Sequence, residues 1–252
     1  MDVATTVSRF KKKPKPQAKT IVFRLDILIR LSTLLLIAAV LCLSVHVARY
    51  ALADFYYGRA KTAYNRLDLS QLNYAYELNN LVEDVNRSLR FRRNSADALD
   101  FKANLLYQSW WLSPDGQYLQ VSQLLQNALL LHEEAQAHRK GWVFSAARMA
   151  LIYSHQAELD SNFHRWFIES HRLGLYETTI ARSLMVVGLQ NWEKLSESQQ
   201  SLTMDFIRAS IEQKANSAQA MVILLDGYQL RQEACEALPN TPRKIAVCKD
   251  IS

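Results

Sequence analysis

The stretch Leu31-Ser32-Thr33-Leu34-Leu35-Leu36-Ile37-Ala38-Ala39-Val40-Leu41-Cys42-Leu43-Ser44-Val45-His46-Val47-Ala48 decides the architecture. Its eighteen residues carry no formal charge, and as a helix they cover about 27 Å, enough to cross the hydrocarbon layer of a bilayer. A core helix of a globular protein presents a polar stripe, whereas here only Ser32, Thr33, Ser44 and His46 interrupt the apolar run. Ile27, Leu28 and Ile29 lengthen it, so a transmembrane helix is expected over residues 27–50. Arg30 and Arg49 bracket the run, and their long stems reach toward the headgroups as interface anchors. Phe55, Tyr56 and Tyr57 follow it, and read as an aromatic anchor at membrane-interface depth.

The charges divide at the same place. The whole chain of 252 residues has 30 Lys and Arg against 24 Asp and Glu, a formal charge of +6. The first fifty residues hold nine Lys and Arg against Asp2 and Asp26, which leaves the remainder nearly neutral. Nucleic-acid-binding domains spread basic groups over the folded body, so no nucleic-acid partner is expected. The Lys11-Lys12-Lys13-Pro14-Lys15-Pro16 arm, within residues 1–26, is a topology signal that keeps the N-terminus in the cytoplasm and sends the body across the membrane. A cleaved signal peptide is the alternative, since Ala51-Leu52-Ala53 has the small-x-small form of a cleavage site. The length of the apolar run and the Arg49-Tyr50 approach favour an uncleaved anchor.

Cysteine usage agrees with export. Cys42 lies within the span, while Cys235 and Cys248 flank a Pro239-Asn240-Thr241-Pro242 loop in a C-terminal tail over residues 235–252. In an oxidising compartment such a pair closes into a disulfide, and a loop of this size contributes about 3 kcal/mol in the chain-entropy model.

The body, residues 51–234, reads as all-α. Only six glycines occur in the chain, too few for turn-dense β folds or glycine-loop nucleotide folds, and no segment shows a period of two. Leu52 to Tyr64 continues the apolar helix. Asp68 or Ser70 opens a helix to Leu89. Ser95 caps another, with Asp97 in its first turn and Leu99, Ala103, Leu106 and Trp110 on one face. Ser113-Pro114-Asp115-Gly116 is a turn. Further helices are expected over Tyr118–Ala137, Trp142–Gln156, Asn162–Arg172 and Leu175–Asn191. Ser196 with Gln199 forms a capping box for Glu197–Lys214, and Asn216 or Ser217 opens a last helix to about Glu233.

An internal repeat underlies these helices. Asn94-Ser95-Ala96-Asp97-Ala98-Leu99 returns as Asn216-Ser217-Ala218-Gln219-Ala220-Met221. The offset of 122 residues suggests three helix-pair units of about 41. Ala146, Met149, Ala150 and Tyr153 match the first helix of a tetratricopeptide unit, and Leu202, Phe206 and Ala209 the second. Small residues let helices approach closely, and aromatics fill the grooves beside them. A tetratricopeptide-like domain of helical hairpins is the expected fold.

Signatures of chemistry are sparse. His132 and His138 are six apart in His132-Glu133-Glu134-Ala135-Gln136-Ala137-His138, whereas a zinc-protease helix needs four, so this reads as a solvated helical stretch. His164 and His171 share a face with Phe167 and Ile168 between them, a packed or surface pair. Glu83 and Asp84 are adjacent on a helix and point apart. No catalytic residue, cofactor or metal site is expected. Two groups remain as a candidate interaction patch: Arg87, Arg90, Arg92 and Arg93 at the end of a helix, where cations suit the dipole, and Trp110 with Trp111 beside Tyr107. The arginines suit an acidic polysaccharide or partner carboxylates. The tryptophans suit hairpin core or a stacking platform.

The order of parts, with Asn94-Ser95-Ala96-Asp97-Ala98-Leu99, Trp192-Glu193-Lys194-Leu195-Ser196 running into Gln199-Gln200, and the Cys235/Cys248 end, resembles the VpsP-type exopolysaccharide biosynthesis proteins of Gram-negative bacteria. The resemblance implies a bacterial inner-membrane protein with its body in the periplasm, acting as a non-catalytic adaptor among polysaccharide-synthesis proteins. The competing expectations are an assembly factor of a pilus or secretion system and a periplasmic enzyme acting on the polymer.

Overall fold

The computed structural model describes residues 18–67, 74–113, 118–155, 159–213, 218–237 and 242–249. The Lys11–Pro16 arm, the helix starts at Asp68 and Ser70, the turn residues Pro114 to Gly116, the caps Asn216 and Ser217, and Pro239 to Thr241 lie outside them. Among the described residues every regular element is a helix: α1 Ala18–Tyr64, α2 Tyr74–Phe91, α3 Ala96–Trp111, α4 Tyr118–His138, α5 Val143–Tyr153, α6 Ser161–Gly174, α7 Thr178–Gln190, a 3-10 turn Trp192–Lys194, α8 Glu197–Glu212, α9 Ala218–Gly227, α10 Arg231–Ala237 and α11 Pro242–Cys248. The chain divides into two units, residues 1–51 and 52–252.

The first unit contains the apolar part of α1. Its most apolar window has a mean hydropathy of 2.4 and none of it is buried, so by length and composition it suffices to cross a membrane. The hydroxyls within it are satisfied by their own helix. Ser32 and Thr33 each donate to the Ile29 carbonyl and Ser44 to that of Val40, all at 2.8 Å, so no water is needed to pair them.

The second unit is a succession of helical hairpins. In the first, Asp97 at the start of α3 meets Arg139 just beyond α4, and Asp100 meets His132, so the two helices run antiparallel. In the next, a Cβ on Gly174 at the end of α6 would lie 2.3 Å from the Val143 side chain at the start of α5, again an antiparallel pair. In the third, Gly188 of α7 abuts Thr203 of α8. Adjacent hairpins also align with one another. His164 bonds Gln199, and His171 Nε2 lies 3.0 Å from Asp205 Oδ2, so α6 and α8 run side by side in the same direction.

Hairpins open at Ala96, Val143, Thr178 and Ala218, giving steps of 47, 35 and 40 residues. The repeat of 122 therefore spans three hairpins of unequal length rather than three of about 41. Only the α5/α6 unit has the length of a tetratricopeptide repeat. Within it Ala146, Met149 and Ala150 are fully buried, and so is Phe206 in α8. The largest core joins α5 to α9 through Phe163, Phe167, Leu184, Met185 and Phe206. A second core gathers Ala60 of α1 with Tyr74, Leu78, Leu81 and Val85 of α2 and Ala98 and Leu105 of α3.

One local expectation changes and another holds. The helix expected to reach Glu233 stops at Gly227, because Gln229 adopts a left-handed φ of 59°. Leu230 N–H then reaches the Leu225 carbonyl at 3.0 Å and Gln229 N–H that of Asp226 at 3.1 Å, a Schellman closure that turns Leu230 into the core. The helix begun at Ser196 keeps the back-bond of the expected box, with Gln199 Oε1 accepting from Ser196 N–H at 3.0 Å.

A candidate cleft on the first helices of the hairpins

Residues from α1, α3 and α5 converge on a cleft of about 460 Å³. Tyr57 and Lys61 come from the last turns of α1, Asp97, Asp100, Phe101 and Asn104 from α3, and Trp142, Phe144 and Arg148 from the start of α5. The α3 residues share a face because they are three and four apart. Trp142 reaches the rim through the α4–α5 connection. Gly141 there has φ of 79°, a left-handed conformation that glycine takes without steric cost, and it lets Trp142 N–H bond the Arg139 carbonyl at 3.1 Å. The Trp142 carbonyl accepts from Gln136 Nε2 at 2.6 Å, which fixes the start of α5.

The walls are aromatic. Trp142 and Phe144 have ring centroids 4.9 Å apart, and Tyr57 meets Phe101 edge to face at 5.9 Å. The Arg139 guanidinium lies 3.6 Å from the centre of the Trp142 ring and bonds Asp97 at 3.2 Å, so Asp97 already has a partner.

Asp100 is engaged from behind. Its Oδ1 lies 2.9 Å from His132 Nδ1 and accepts from Ser145 Oγ at 2.5 Å. Burial alone would raise this carboxyl; the bond and charge of His132, the Ser145 bond and the Arg148 charge outweigh burial and hold it below the usual carboxylate range. His132 is fully buried, so the stretch His132 to His138 is not solvated throughout: His132 and Ala135 face inward, while Glu133, Glu134 and His138 are exposed. Ser145 bonds the carboxylate rather than the imidazole, so these three groups do not form the Ser–His–Asp relay of a hydrolase.

Two polar atoms of the cleft residues are buried with no hydrogen-bond partner, Asn104 Oδ1 and Trp142 Nε1. Neither Lys61 nor Arg148 has a carboxylate within ion-pairing distance among the described residues; Lys61 Nζ lies over the Tyr57 ring at 5.7 Å. A larger recess of about 860 Å³ lies between α4 and α6, lined by Glu133, Lys140, Arg165, Trp166 and Glu169. Its lining contains none of the unpaired buried atoms, and Glu169 is held by Arg172. The smaller cleft is therefore the better candidate site.

The residues singled out in the sequence are distributed as follows. Arg87 pairs with Glu83 and Asp84 on its own helix and lies over the Tyr56 ring at 5.9 Å. Arg92 comes within 4.0 Å of Asp54, and Arg90 and Arg93 are exposed. Trp110 and Trp111 stand at the far end of α3, roughly 20 Å along the axis from this group at 1.5 Å per residue. Trp111 is 62% exposed. Both indoles pack around His155, which hydrogen-bonds Tyr107 Oη at 2.8 Å and whose pKa burial lowers. Of the aromatic trio, Tyr56 stacks on Phe91 at 6.1 Å and Tyr57 packs on Phe101, while Phe55 stays exposed. Arg30 and Arg49 flank the exposed apolar segment. Cys235 and Cys248 are joined in a disulfide with Cα atoms 5.9 Å apart, linking α10 to α11. Among the described residues no group of three metal-ligating side chains converges.

The sequence reading missed the cleft. Asp100, Asn104 and Arg148 sit on amphipathic helices like any solvated residue, and the one local signal was the Gly141-Trp142 pair at a helix start. The chain matches no protein-family model, no curated protein and no solved structure.

Proposed function

We propose that this chain is a non-catalytic, membrane-anchored adaptor in the assembly or export of a bacterial exopolysaccharide, with its N-terminus in the cytoplasm and its hairpin domain in the periplasm. The observation that carries the reading is the cleft itself. It combines aromatic walls, two cations with no carboxylate within ion-pairing distance among the described residues, and a buried donor and acceptor without partners, which suits it to holding a ligand rather than transforming one. The charge asymmetry across the apolar helix supports the orientation. The joined cysteines suit an oxidising compartment. The layout resembling VpsP-type proteins supports the polymer as the system served.

Deletion of the gene, scored for secreted polymer in conditions where polymer is made, tests the function. Loss of polymer, restored by the intact chain, is expected, and unchanged secretion rejects the proposal. Protease treatment of spheroplasts tests the topology: the hairpin domain is digested without lysis if it lies in the periplasm.

A further inference from the structure

We propose that the cleft formed by Tyr57, Lys61, Asn104, Trp142, Phe144 and Arg148 binds a carboxylated sugar, a uronate unit of an acidic polysaccharide. The inference rests on the adaptor reading and names the chemistry that its site selects.

Three properties of the cleft point to that ligand. The first is charge. Both carboxylates are hydrogen-bonded, Asp97 by Arg139 and Asp100 by His132 and Ser145, whereas neither Lys61 nor Arg148 has a carboxylate within ion-pairing distance among the described residues, the Arg148 charge acting on Asp100 only at longer range. An incoming carboxylate completes the pairing, and a guanidinium offers it two parallel donors. The second is hydrogen bonding. Asn104 Oδ1 needs a donor and Trp142 Nε1 needs an acceptor, and both are buried. Leaving such atoms unpaired is unfavourable. A sugar hydroxyl both donates and accepts, so it is the kind of group that suits either atom. The third is shape. Flat aromatic side chains line a space of about 460 Å³, room for one or two pyranose rings with their apolar faces against Trp142, Phe144 or Phe101. An extended peptide also carries amide donors and acceptors, so an acidic peptide is the competing ligand in the test.

Calorimetric titration of the full-length, detergent-solubilised protein is the test, with trigalacturonate and trimannuronate as acidic sugars, maltotriose as the neutral sugar and triglutamate as the acidic peptide. At least one uronate trimer is expected to bind, at least tenfold more tightly than maltotriose or triglutamate, and to weaken as salt is raised. Lys61→Gln and Arg148→Gln are each expected to lower that affinity fivefold or more. Lys61 is exposed, so its variant tests the idea even if the Arg148 variant fails to fold. Binding of neither uronate overturns the inference. So does equal binding of maltotriose, which would show that charge is not read, or tighter binding of triglutamate, which would make the cleft a peptide site. The adaptor role and the ligand separate cleanly. Loss of polymer on deletion, without uronate binding, keeps the role and removes the ligand. Uronate binding with normal secretion does the reverse.

Discussion

His132 Nδ1 lies 2.9 Å from Asp100 Oδ1, and this one contact ties the second helix of the first hairpin to the floor of the cleft. Ser145 of α5 bonds the same oxygen, so a single carboxylate joins three helices at sequence separations of 32 and 45.

Removing that carboxylate leaves a fully buried imidazole and a buried hydroxyl without their partner. Asp100→Ala is expected to destabilise the domain by about 3 kcal/mol, read as a lowered urea midpoint with unchanged slope. A loss below about 0.5 kcal/mol would mean that the network contributes little.

Acid sensitivity follows from the same group. The folded carboxyl titrates below its unfolded value of about 3.9, so its contribution is complete above that pH and is lost as pH falls through the folded value. Between about pH 5 and pH 2 the native protein should lose stability more steeply than Asp100→Asn. Equal slopes for the two proteins in urea titrations across that range would contradict the assignment.

Close approach of α7 and α8 depends on Gly188. A Cβ there would lie 2.4 Å from Thr203 Oγ1 and 2.9 Å from its Cβ, so Gly188→Ala must displace a helix. We expect a loss of about 1–3 kcal/mol in thermal or urea unfolding. Adding Thr203→Ala should return part of it, because two of the three close atoms leave and the Cβ stays.

Gln229 should give the opposite sign. Its left-handed backbone is strained for a side chain and natural for glycine. Gln229→Gly is expected to raise stability by about 0.5–1 kcal/mol. A lowered melting temperature would show that the Gln229 side chain matters more than its φ.

Reduction of the bond between Cys235 and Cys248, at a sequence separation of 13, frees a loop worth about 3 kcal/mol in the chain-entropy model. Unfolding with and without reductant measures it. Mass-shifted alkylation of both thiols only after reduction is the companion result.

The sequence by itself determined the apolar run to Ala48, the all-helical class and several helix starts, among them Ser95 and Ser196. Each is a local property. Hydropathy, period and capping depend on residues within a few positions, and the backbone expresses them whatever lies elsewhere. What the tertiary structure alone decided is which faces meet. Tyr56 and Tyr57 have the composition of a membrane-interface anchor, yet their rings pack on Phe91 and Phe101, which lie more than thirty positions away along the chain. His132 sits in a stretch of polar residues, yet it is fully buried because Asp100 offers it a partner. Gly227 stands at the end of α9, yet the left-handed residue is Gln229, which brings Leu230 into the core. Such outcomes depend on pairing between helices brought together by packing, and no window along the chain contains both partners.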